Sequence, residues 1–184
     1  MNMTSHLALA VGLSEVLDLR TVAFIFGNVQ PDLALYSYLR GGRLQGHSFR
    51  NMSPRIDAVL AKLRKGRGDG LLHSYRLGKL MHYIADSFTY PHNDSFHGSL
   101  RAHMLYEDEL EVSLQEHMEE EGFRPSAKLT VDDVAEYVRR RHEDYMAKEG
   151  STDNDSSFIL ESCAGVAWAL ATERRLARPA VGIS

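Results

Sequence analysis

Cysteine is almost missing from the chain. Cys163 is the only one, which excludes an intrachain disulfide and any thiolate-based zinc site. It lies in the apolar stretch "ESCAGVAWAL" and reads as a buried core thiol. Long apolar runs are missing too: "HLALAVGL" and "TVAFIF" fall far short of the roughly 18 residues a bilayer span needs, so no transmembrane segment is expected. No Lys or Arg precedes "LALAVGL" and Gly12 breaks it, so it reads as part of the fold and the protein as cytoplasmic. There is no basic excess: the net charge is −4, which argues against a stable nucleic-acid complex. The local patch "KLRKGRG" reads as a solvated linker. Period-two alternation of apolar residues is also missing, which excludes a sheet of any size.

What remains is helical. With 184 residues, 43% hydrophobic and 25% charged, the chain is sized for one globular domain, 1–184, and too short for two. Nearly every segment has apolar residues three and four apart, so the expected fold class is all-α, a single-domain multi-helix bundle. Thr4 and Ser5 are N-cap candidates for a first helix to about Asp18, with Leu9, Leu13, Val16 and Leu17 as its buried stripe. A short second helix from about Arg20 is expected to end at Gly27, because the proline of "NVQPD" cannot continue it. "YLRGGRLQGHSF" reads as a loop. Further helices are expected over Ser53–Lys65, Leu71–Tyr90, from Asp94 or Ser95 to Glu121, and over Asp132–Lys148 and Ser156–Leu176. The polar run "STDNDSS" caps the last of these, and Trp168 packs in the core. Neither internal repeats nor low-complexity segments stand out.

The chemistry concentrates in two places. His82 and Asp86 are four apart and share a face of the fourth helix with Tyr75 and Lys79, opposite a core stripe of Leu77, Leu80, Met81, Ile84 and Phe88. Pro91 ends that helix and delivers His92 just beyond it, while Asn93 and Asp94 read as the start of the next helix. On the fifth helix His103 and Glu107 are again four apart. One such pair is ordinarily a solvated or salt-bridged surface feature. Two on neighbouring helices, joined by a Pro-His turn, point to a divalent metal, since imidazole with carboxylate suits zinc. Asp32 after Pro31, His47 in the glycine-rich loop and His6 on the first helix could converge on the same place. Of the other histidines, His73 reads as core-facing and hydrogen-bonded, His97 as a rival to His92, and His117 and His142 as solvated.

The string "HYIADSFTYPH", read as H-x3-D-x5-H, with "HMLYE" as H-x3-E, resembles the zinc-dependent phospholipase C and P1-type nuclease superfamily. "GNVQPD", "GH" and "SHLALA" resemble its early motifs in the same order, so the likeness covers residues 4–107. The helices over 128–178 carry no signature and would complete the bundle.

The resemblance implies one zinc held by Asp32, His47, His82 and Asp86, and a second held by His92, His103 and Glu107. A third would use His6, with Asp86 bridging. In secreted relatives an N-terminal tryptophan supplies its amine and carbonyl to that third metal. Here the chain reads "MNMTSH", so either backbone groups of the first residues replace it or two ions bind instead of three. The implied activity is hydrolysis of a phosphoric ester, foremost a phospholipase C-type phosphodiester, by metal-activated water that Asp32 orients or deprotonates. His73, Asn93, Asp94 and His97 could stand behind the ligands.

A soluble phosphoester or nucleotide is the alternative substrate, and a noncatalytic zinc-binding helical module the alternative role. A di-iron bundle expects Glu-x-x-His pairs, and the sequence has none.

Overall fold

Seven α-helices follow one another in the computed structural model, which describes residues 1–17, 19–39, 49–66, 70–124 and 129–177. They are α1 (Met3–Leu17), α2 (Thr21–Leu39), α3 (Phe49–Lys65), α4 (Leu71–Ser87), α5 (Leu100–Glu120), α6 (Val134–Met146) and α7 (Thr152–Ala177). Single 3₁₀ turns, Tyr90–His92 and Val131–Asp133, precede α5 and α6. No strand occurs among the described residues, so the fold is all-α.

The helices begin where side chains satisfy the free amides of a first turn. Asn2 Oδ1 accepts the Ser5 amide at 2.9 Å and caps α1, so Thr4 and Ser5 lie inside the helix rather than before it. Ser99 Oγ accepts the Ala102 amide and caps α5 five residues later than the expected start near Asp94. Ser151 Oγ accepts the Asn154 amide at 3.2 Å, so most of "STDNDSS" belongs to the first turn of α7.

The largest departure from expectation is α2. It runs through Gly27 and holds Pro31 in its interior, which forfeits the backbone bond to the Gly27 carbonyl. Packing against α4 sustains it. A Cβ at Gly27 would lie 2.0 Å from the Tyr75 carbonyl oxygen, and one at Gly78 would lie 2.0 Å from that of Phe24. The glycines therefore bring the two backbones into direct contact, and at Gly27 the residue that looked like a helix end is a contact point.

The expected stripe of α4 is entirely buried, with Leu77, Leu80, Met81, Ile84 and Phe88 all at 0% exposure. It joins Leu9, Leu13 and Leu17 of α1, Leu110 and Leu114 of α5 and Ile159, Cys163 and Val166 of α7 in one core. Val16 faces outward instead, because α1 buries only one side. Cys163 is buried there, as expected, and Trp168 packs partly buried against the same core. No helix among the described residues is long and apolar enough to cross a membrane.

α4 is central, flanked by α2, α3, α1 and α7, while α5 rests on α7 and α1. This arrangement carries the polar faces of α1, α2, α4 and α5 toward one place.

Candidate metal centre

α4 ends at Ser87, three residues before the expected Tyr90, and the Phe88 and Thr89 amides close its last turn on Ala85 and Asp86. The chain then forms the 3₁₀ turn that contains Pro91 and ends on His92. Pro91 thus redirects the chain as expected, by shaping the turn after the helix.

Two groups of ligand-type side chains result. His6, Asp32 and His82 form the first, and His92, His103 and Glu107 the second; in each group the ligand atoms all lie within 4.8 Å of one another. In the first group the His6 and His82 rings stack at 4.0 Å between centroids. His82 Nε2 lies 3.7 Å from Asp32 Oδ1, and His6 Nε2 lies 4.0 Å from Asp32 Oδ2. In the second group Glu107 Oε1 is 3.1 Å from Nε2 of both His92 and His103.

Asp86 stands between them. Its Oδ1 is 3.1 Å from His6 Nε2 and 3.3 Å from His92 Nδ1, while its Oδ2 is 3.3 Å from His82 Nε2. The carboxylate is completely buried. Burial by itself would raise its pKa, but the Met1 ammonium, then His92, His82 and His6, hold it well below the ordinary carboxylate range. Glu107 is lowered as well: against the opposing effect of burial, hydrogen bonds from His103 and His92 and the Met1 ammonium favour its charge.

These residues fit a divalent cation. Zinc binds nitrogen at about 2.0–2.1 Å in a tetrahedron, which sets neighbouring ligand atoms about 3.3 Å apart. The separations of 3.1, 3.3 and 3.7 Å bracket that edge. A positive charge already occupies the gap between the groups. The α-amino nitrogen of Met1 lies 2.7 Å from Glu107 Oε1, 3.2 Å from Asp86 Oδ1 and 3.1 Å from His92 Nε2. Burial pushes that amine down, but Asp86 and Glu107 more than offset it and raise it above its usual value.

Seven of the eight residues singled out in the sequence therefore come together. The eighth, His47, lies outside the described residues. His97 is exposed and stands apart from both groups, leaving His92 in the position they contest. His73 is buried as expected, whereas Asp94 is exposed and pairs with Arg50 at 3.7 Å. His117 is only partly solvated, bonded to the Ser113 carbonyl and 3.3 Å from Asp153.

Two supporting residues escaped the sequence reading, while Asn93 is one of those expected behind the ligands. His142, expected on a solvated face, is buried and stacked on Phe49 at 3.5 Å, and burial pushes its pKa down to about 4. Its Nε2 meets Asn93 Oδ1 at 2.9 Å, while Asn93 Nδ2 donates to the Ser87 and Thr89 carbonyls. Asn93 thus clasps the turn behind His92 instead of starting a helix. The other missed residue is Asp155, buried at the start of α7 and bonded to Tyr90, Tyr106 and Tyr145. No spacing rule marks them, since the contacts that place them come from other elements, 49 positions apart for Asn93 with His142 and 65 for Tyr90 with Asp155.

Residues 2–152 match the family described as zinc dependent phospholipase C. No curated protein and no solved structure matches the chain. The matched segment contains every ligand-type residue of both groups, together with the turn that joins them. By that match, over most of its length, the chain belongs to the zinc-dependent phospholipase C family.

Proposed function

We propose that the protein is a hydrolase of phosphoric esters, a phosphodiesterase of phospholipase C type, with Asp32, His47, His82 and Asp86 as the ligands of one zinc, His92, His103 and Glu107 as those of a second, and His6 with Asp86 as those of a third if it binds. One observation carries the reading: the buried Asp86 carboxylate faces imidazoles of both groups, the disposition of a bridging ligand. Zinc bound there would supply Lewis-acid activation of water and charge neutralisation at a phosphoryl oxygen.

The remaining roles belong to the chain. Asp86, sealed from solvent, fixes the spacing of the two groups. Asp32 is 21% exposed and stands farther from the imidazoles than Asp86 does. Of these two carboxylates it is the one more open to incoming water, and it orients that water and accepts its proton.

A specific feature favours a lipid phosphodiester over a soluble one. Leu100, one turn before His103 on α5, and Met3, two residues from the Met1 amine, are 56% and 52% exposed. Such apolar neighbours suit a substrate with acyl chains.

The test is metal analysis of the purified protein together with a screen of phosphomonoesters, soluble phosphodiesters and phosphatidylcholine vesicles. Zinc in the protein and cleavage of the vesicle lipid are expected. Full zinc content without hydrolysis of any ester would leave a noncatalytic zinc module, and bound iron with a visible absorption band would point to redox chemistry.

A further inference from the structure

Asp155 lies on the first turn of α7, beyond the segment matched to the family, and is completely buried. Its Oδ2 accepts two hydrogen bonds, from the Tyr90 amide at 2.8 Å and from the Tyr106 hydroxyl at 3.0 Å. Its Oδ1 accepts a third, from the Tyr145 hydroxyl at 2.7 Å. Tyr90 opens the turn that ends on His92, and Tyr106 immediately precedes Glu107. One oxygen atom therefore receives a bond from each of the two segments that bring ligands to the second group.

Those ligands must meet closely. His92 Nε2 and Glu107 Oε1 are 3.1 Å apart although their segments are joined only through the exposed stretch before α5. A buried carboxylate is a costly way to hold a turn. Burial pushes Asp155 up to about 6 in spite of the bonds from Tyr90, Tyr145 and Tyr106. Burial and the nearby Asp155 charge raise both tyrosines, so their hydroxyls stay protonated and donate.

We propose that Asp155 is a positioning residue for the His92, His103 and Glu107 group, setting the turn that carries His92 against the helix that carries Glu107. This rests on the zinc-binding reading given above. Groups behind metal ligands typically govern affinity by about 10–100-fold when removed.

The experiment is zinc competition with a chromophoric chelator at neutral pH, alongside thermal unfolding. His82→Ala and His103→Ala first assign the zinc affinities of the wild type to the two groups. Asp155→Ala is expected to weaken by about 10–100-fold only the affinity that His103→Ala abolishes. Asp155→Asn, which keeps the shape and most of the bonding, is expected to recover most of that loss. Val166→Ala, a core change on the same helix, should lower the melting temperature and leave both affinities unchanged. If Asp155→Ala does not fold, Tyr106→Phe replaces it, with a smaller loss expected in the same affinity.

Wild-type affinities in Asp155→Ala, or equal loss from both groups, would overturn the positioning role and leave the zinc reading intact. A wild type that binds no zinc would overturn both.

Discussion

Nδ1 of His92 lies 3.3 Å from Oδ1 of Asp86, and through that contact the turn after α4 meets the helix it has just left. The same Asp86 oxygen is 3.1 Å from His6 Nε2, so one atom faces imidazoles of both groups. Asp86→Asn removes the charge while keeping the shape. It is expected to lose zinc and phosphodiester hydrolysis together, checked by metal analysis and turnover on the same sample. Full zinc occupancy in this variant would sink the bridging assignment.

Asp32 predicts a different pattern. Because Asp32 is partly open and farther from the imidazoles, and asparagine keeps an oxygen that can ligate, Asp32→Asn should retain most of the zinc. Its kcat should fall by about 10²–10⁴-fold, the usual contribution of a positioned proton acceptor, with little change in KM. Loss of zinc in proportion to activity would leave Asp32 as a zinc ligand without the proton-accepting role.

The crossing of α2 and α4 tests the fold beneath the site. An added Cβ at Gly78 meets backbone, 2.0 Å from the Phe24 carbonyl, where no rotamer change can relieve the clash. Gly78→Ala should therefore destabilise by about 3 kcal/mol, the upper end of overpacking costs. Gly70→Ala, where a Cβ meets nothing within 4 Å, is the control for urea unfolding. Equal stability of the two variants would show that the backbones can part.

His142 gives a pH signature. Burial lowers its folded pKa to about 4, against about 6.5 in the unfolded chain. Above pH 6.5 the ring is neutral in both states and its burial has no pH-dependent cost. As pH falls from about 6.5 toward about 4 the unfolded chain takes up the proton first, so stability declines over that window. The difference in unfolding free energy between the metal-free wild type and His142→Gln should change across that window. A pH-independent difference would mean that His142 titrates normally.

The ligand-type residues are legible because helical spacing places them. His82 with Asp86 and His103 with Glu107 are visible from the four-residue interval alone, and His92 from the proline before it. What no local rule could supply was set by distant contacts. Pro31 reads as a helix end, yet α2 passes through it because α4 lies against its backbone. Asn93 reads as a helix start until His142, 49 positions on, takes its side chain. Asp155 reads as a cap until two helices and a turn converge on it.

Gly27 and Gly78 have one more consequence. Where side chains separate two helices, replacing one by a larger or smaller residue moves the helices apart or together. Here main chain rests on main chain, so the gap between the helices of Asp32 and His82 has a hard mechanical stop. Residue volumes elsewhere in the core can drift over generations while the span across the site stays fixed. The pair thus insulates the site's dimensions from the ordinary wear of mutation.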